Sequence, residues 1–193
     1  VTTKETYTIG EGKLHVAVLD LGLKKKVTNF LMGMDCHLTV FPASTSAEEI
    51  LRHNPNGIVI TNGPGNPADV PEVIETVKAL MGKKPMLGFC MGHLVMALSN
   101  GAEATKMKFG HHGNQPVKGL ETGRVYISAQ NHGYVVDAAS LEGKDITLTH
   151  VALNDGTVEG LKYEGKNALS VQFLPDGEHA YLLKSFVDMM EGR

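Results

Sequence analysis

Apolar and polar positions along the chain follow two alternating rhythms. Residues 15–20 (HVAVLD), 36–41 (CHLTVF), 57–61 (GIVIT) and 86–89 (MLGF) are short, nearly continuous apolar runs, the pattern of strands buried on both faces. Between them the apolar residues recur at helical spacing. Val27, Phe30, Leu31 and Met34 do so in 24–34. The stretch 70–82 does so with Pro71 in its first turn and Gly82 as its stop. Ser46 and Glu49 are spaced as a capping box for another short helix. Strands alternating with helices predict an α/β, doubly wound, flavodoxin-like fold: a mostly parallel sheet with helices on both faces.

After Gly101 the rhythm changes. Short β-rich runs at 124–130, 145–153, 157–164 and 168–173 replace the helices, and a helix over 180–190 follows them. This β-rich part reads as an elaboration on the parallel sheet. No internal repeat or low-complexity segment breaks the pattern. The polar opening, residues 1–13, reads as a linker from a further N-terminal domain, and 14–193 as one domain.

Composition narrows the function classes. A chain of 193 residues with 42% hydrophobic content can bury one ordinary core. A net charge of −3 gives no case for nucleic acid, and no apolar run is long enough to span a membrane. The two cysteines, Cys36 and Cys90, are too few for a disulfide framework and point to a reducing cytoplasm. Cys36 opens a strand and reads as buried packing.

Three segments hold candidate chemistry. Gly88-Phe89-Cys90-Met91-Gly92 joins a strand run to an apolar helix, in the pattern of a nucleophile elbow. A thiol there faces a helix N-terminus that favours thiolate, and the N–H of Met91 is placed to bind an oxyanion. The other reading of G-x-C-x-G is a buried structural cysteine on a strand-to-helix turn. Residues 62–67, Asn-Gly-Pro-Gly-Asn-Pro, form either a tight turn or a rigid loop that offers the N–H of Gly63 as a second oxyanion donor. Gln130-Asn131-His132-Gly133-Tyr134, at the end of a strand, is either a turn or a set of groups for a polar substrate. No dinucleotide or P-loop fingerprint is present. His111 and His112 have no metal-ligand partner at a useful spacing and read as surface loop residues, so no metal is expected.

With NGPGNP, GFCMGH, KFGHHGNQPV and YISAQNHGYVV in this order, the chain resembles the class I glutamine amidotransferase domain of carbamoyl phosphate synthetase small subunits. The likeness covers nearly the whole chain. It implies a Cys-His-Glu triad that hydrolyses the side-chain amide of L-glutamine. The ammonia passes to a synthetase large subunit, which consumes ATP, so this domain itself needs no cofactor. The product feeds pyrimidine and arginine biosynthesis. By the same resemblance Cys90 is the nucleophile, Gly63 and Met91 supply the oxyanion hole, and Gly65 lines the substrate site. Asn131, Gly133 and Tyr134 hold the glutamine backbone.

The chain departs from the family at its base. Where the family has S-V-Q-[FY]-H-P-E, this sequence reads Ser170-Val171-Gln172-Phe173-Leu174-Pro175-Asp176. Leu174 therefore stands at the triad histidine and Asp176 at the triad glutamate. Leu94 stands where the family's C-x-G-H-Q places a substrate-binding glutamine. A leucine neither accepts the thiol proton nor protonates leaving ammonia, so weak or absent glutaminase activity is expected. The alternative is a non-catalytic subunit that docks on or regulates an ammonia-using synthetase. A cysteine hydrolase with another substrate is a third reading, and it too needs a base. His93 is expected to pack beneath the sheet, and His179 to be solvent-exposed.

Overall fold

The computed structural model describes all 193 residues. In chain order it has β1 (Tyr7–Ile9), β2 (Leu14–Asp20), α1 (Lys25–Gly33), β3 (Cys36–Pro42), α2 (Ala47–Arg52) and β4 (Gly57–Ile60). Then come α3 (Pro71–Leu80), β5 (Met86–Phe89), α4 (Met91–Ser99), β6 (Ala104–Gly119) and β7 (Val125–Val136). Finally β8 (Ile146–Ala152), β9 (Val158–Tyr163), β10 (Ala168–Val171) and α5 (Tyr181–Met190) complete the fold.

All ten strands share one sheet, in the order β1-β3-β2-β4-β5-β10-β9-β8-β6-β7. The five strands β3, β2, β4, β5 and β10 run parallel. β1 adds an antiparallel edge, and β9, β8, β6 and β7 extend the other side antiparallel. The doubly wound core and the β-rich elaboration are thus one continuous sheet. β10 is the joint, parallel to β5 and antiparallel to β9.

Helices cover both faces. Ile50 of α2, Val77 and Leu80 of α3 and Val95 of α4 pack with Ile58, Ile60 and Met86. Leu31 of α1 and Leu183 and Phe186 of α5 pack with Val18, Val59 and Leu87. Neighbours Ile58, Val59 and Ile60 therefore serve opposite layers, as the twofold period of a strand requires. Burial of one such side chain contributes about 1.5–3 kcal/mol, which is why these strands carry unbroken apolar runs.

Three expectations are corrected. His111 and His112 belong to the long strand β6, not to a surface loop, and QNHGY lies inside β7. His111 pairs across from His132, and His112 from Asn131, beyond an irregularity between Lys106 and His111. His111 is buried and His112 exposed. Backbone pairing, not apolar alternation, builds this ribbon, so its polar sequence concealed it. His179 is also buried, its ring 4.1 Å from that of Phe173, because the turn Gly177–His179 folds back onto the sheet. His93 is fully buried, as expected. No helix is long and apolar enough to cross a membrane.

Candidate active site

Cys90 sits between β5 and α4 with φ 54° and ψ −113°. A non-glycine residue held there stores roughly 1–3 kcal/mol of backbone strain, so the surroundings must enforce it. They do so through hydrogen bonds on either side. The Cys90 N–H donates to the Val171 carbonyl at 2.9 Å, and the Gly92 N–H to the Thr61 carbonyl at 3.0 Å. Gly92 lies so close to β4 that a Cβ would overlap the Ile60 carbonyl. The second glycine of the elbow is therefore a packing requirement for α4.

The elbow opens into a cleft of about 290 Å³. Cys90, Met91 and Leu94 enter it from the elbow, Gly63 and Gly65 from the loop after β4, and Asn131, Gly133 and Tyr134 from β7. The three segments singled out in the sequence thus converge. Leu174 and Asp176 are not among the lining residues. Leu174 is half-buried in the apolar layer that Cys90 also touches. Asp176 faces Lys26 at 3.6 Å near the surface. A wider cleft of about 510 Å³ lies apart, among Arg124, Tyr126, His150 and Tyr181, and holds no cysteine.

Sequence reasoning missed Gln172 and His112 as lining residues. Gln172 is fully buried, yet neither atom of its side-chain amide has a hydrogen-bond partner. Its signal was a polar residue at the end of an apolar strand run. His112 Nδ1 lies 2.8 Å from Asn131 Oδ1. His132 Nδ1 lies 2.8 Å from the Tyr134 carbonyl.

The electrostatics of the cleft oppose the thiolate that a helix terminus favours. Burial pushes the Cys90 thiol up to about 12; Lys24 opposes this, and Glu159 and Asp176 add to it. Desolvation penalises the charged form of the thiol. The one thiol hydrogen bond in the chain is that of Cys36 to the Met34 carbonyl, and no imidazole holds the Cys90 sulfur. Burial pushes His132 down to about 4, with the Tyr134 carbonyl opposing, so this ring is neutral near pH 7. Beneath the elbow His93 Nδ1 meets Ser170 Oγ at 2.7 Å, and burial pushes His93 down to about 3. The site therefore offers a nucleophile at a strained bend and a polar cleft, with no proton carrier on the sulfur.

Known proteins share this arrangement of elements. The family model for class-I glutamine amidotransferases matches residues 17–185. A carbamoyl phosphate synthase small chain of Listeria monocytogenes is 47% identical over 190 residues, covering 95% of this chain and 52% of that one. The Bacillus cereus protein of the same name is 48% identical over 198 residues, covering 99% and 54%. The chain thus spans about half the length of the curated relatives it matches. Its fold is similar to that of a candidate GMP synthase component from Thermoplasma acidophilum, with a TM-score of 0.80, 20% identity and coverage of 93% and 94%. With a match that extends from β2 into α5, the chain belongs to the class-I glutamine amidotransferase family.

Proposed function

We propose that this chain is the amidotransferase domain of a carbamoyl phosphate synthase small chain, that its cleft receives L-glutamine, and that its glutaminase chemistry is impaired. The observation that carries this reading is Cys90, strained and facing a cleft built from Gly63, Met91, Asn131 and Gly133, with no base on its sulfur.

The reaction needs two proton transfers. The thiol proton leaves as sulfur attacks the amide carbonyl, and the N–H groups of Gly63 and Met91 receive the oxyanion. The amide nitrogen then takes a proton and departs as ammonia, leaving a thioester that water hydrolyses to glutamate. Asn131, Gly133 and Tyr134 hold the substrate's α-amino and α-carboxylate end. The open amide of Gln172 provides polar contacts that Leu94 does not. By the family's motif, Leu174 stands at the position whose histidine would move both protons. Asp176, one methylene shorter than glutamate, is engaged with Lys26. Loss of acid–base help lowers turnover by roughly 10²–10⁴. Ammonia is delivered to an ATP-consuming large chain, in the cytoplasm.

Leu94, Leu174 and the protonated thiol also favour a second reading, a protein that docks on the synthetase without turning over glutamine. Ammonia release measured with and without a large chain separates the two. Slow release abolished by Cys90→Ala supports the first reading. No release, with the large chain still bound, supports the second. Rapid release by the unaltered chain contradicts both.

A further inference from the structure

His132 of the cleft also belongs to a second constellation. His111 on β6, His132 on β7 and Glu159 on β9 offer ligand atoms that all lie within 4.8 Å of one another. His111 Nδ1 is 3.3 Å from His132 Nε2 and 3.1 Å from Glu159 Oε1. Zinc–nitrogen and zinc–oxygen bonds of about 2.0–2.1 Å put tetrahedral ligands about 3.3–3.4 Å apart, so these separations are close to tetrahedral edges.

The remaining atoms of each ring are already committed. His111 Nε2 lies 2.8 Å from Asp155 Oδ2, and His132 Nδ1 lies 2.8 Å from the Tyr134 carbonyl. Those acceptors take the ring protons and turn the lone pairs of His111 Nδ1 and His132 Nε2 inward, as outer partners of metal-ligating histidines do. Gln130 Oε1 points to the same place, 3.2 Å from His111 Nδ1 and 2.6 Å from His132 Nε2. Its own amide nitrogen donates to Ser128 Oγ at 2.8 Å, which fixes the oxygen inward. Glu159 is fully buried; its Oε1 meets His111 Nδ1 at 3.1 Å, and its Oε2 has no hydrogen-bond partner. With His111 neutral, the lone pairs of His111 Nδ1 and His132 Nε2 and the Glu159 carboxylate converge.

Protonation of His111, which Glu159 and Asp155 hold up to about 9, is the competing way to satisfy the cluster. It serves Glu159 Oε1 but leaves Glu159 Oε2 bare and His132 Nε2 against the Gln130 oxygen. A cation satisfies His111, His132 and Glu159 together.

We infer that this chain binds one divalent ion of the zinc class through His111, His132 and Glu159. Two imidazoles suit zinc or cobalt over magnesium or calcium, which demand more oxygen ligands. Bound there, the ion clamps β6, β7 and β9 together. The clamp steadies the β7 wall, where Asn131 and Gly133 flank His132. It does not depend on the glutaminase reading, since Cys90 takes no part.

Zinc content is measured on the full chain after dialysis, alongside cobalt(II) loading and thermal unfolding with and without zinc. The expected result is about one zinc per chain, the intense visible bands of tetrahedral cobalt, and a higher unfolding midpoint with zinc. Asp155→Asn, which alters only an outer partner, weakens zinc by roughly 10–100-fold, and Glu159→Gln weakens it further. Absence of zinc, of the cobalt bands and of the midpoint shift overturns the inference. So does zinc binding that both variants leave unchanged, which would place the ion on other histidines, such as the stacked pair His15 and His37.

Discussion

The backbone N–H of Cys90 donates to the carbonyl of Val171 at 2.9 Å. The bond continues the parallel register of β5 and β10, where Phe89 lies across from Val171. The strand that anchors the elbow therefore also sets where the chain beyond it begins, and Leu174 stands three residues on. The anchor of the nucleophile is intact while the residue at its far end carries no proton.

Thiol reactivity follows from burial. Cys90 is held near 12 and Cys36 near 11, both mainly by desolvation. At pH 7.5 iodoacetamide should label either thiol at least ~100-fold more slowly than free cysteine, with the rate still climbing at pH 10. Mass spectrometry of timed samples measures this. Fast labelling of Cys90 at neutral pH would show that the helix terminus outweighs desolvation.

Gly92→Ala drives a methyl group into the Ile60 carbonyl and should destabilise the chain by ~3 kcal/mol or prevent folding. Gly33→Ala, at the end of α1 with no atom near its Cβ, should be neutral or stabilising by ~0.5–1 kcal/mol. Urea unfolding compares them. Equal midpoints would mean that α4 does not press on β4 as described.

Gln172 should trade stability for binding. Its buried amide lacks partners, so Gln172→Met should stabilise the fold by about 1–3 kcal/mol. The same change should weaken glutamine binding in equilibrium dialysis. A variant that binds glutamine as before would remove Gln172 from the substrate site.

Acid should destabilise the chain through His93. Burial first, then the repulsion of His132 and His150, hold it down to about 3 in the fold, against about 6.5 when unfolded. As pH falls, the unfolded chain takes up this proton first. The contribution of neutral His93 is complete above about pH 6.5 and is lost progressively towards pH 3, at about 1.4 kcal/mol per pH unit. At pH 5 the loss is roughly 2 kcal/mol. His93→Gln should flatten this acid slope in urea unfolding between pH 7.5 and 5; an unaltered slope would exclude His93 as its source.

The parallel core was legible because strands buried on both faces must be apolar throughout, as residues 57–60 and 86–89 are. The elbow was legible because Gly92 has to be small and Cys90 has to bend. β6 and the interior of β7 were not, since their polar residues are held by cross-strand register. The burial of His111 depends on Asp155 and Glu159, more than forty residues away, which no local spacing reveals. The protonated state of Cys90 likewise follows from burial, which the motif alone does not carry. The converging lining residues of the cleft were legible; the open amide of Gln172 needed the folded chain.

The most direct measurement is steady-state glutamine hydrolysis by the unaltered chain and by the double variant Leu174→His with Asp176→Glu. The predicted result is slow turnover in the unaltered chain and a gain of roughly 10²–10⁴ in the variant, lost again with Cys90→Ala. Fast hydrolysis by the unaltered chain, with no gain in the variant, would contradict the account.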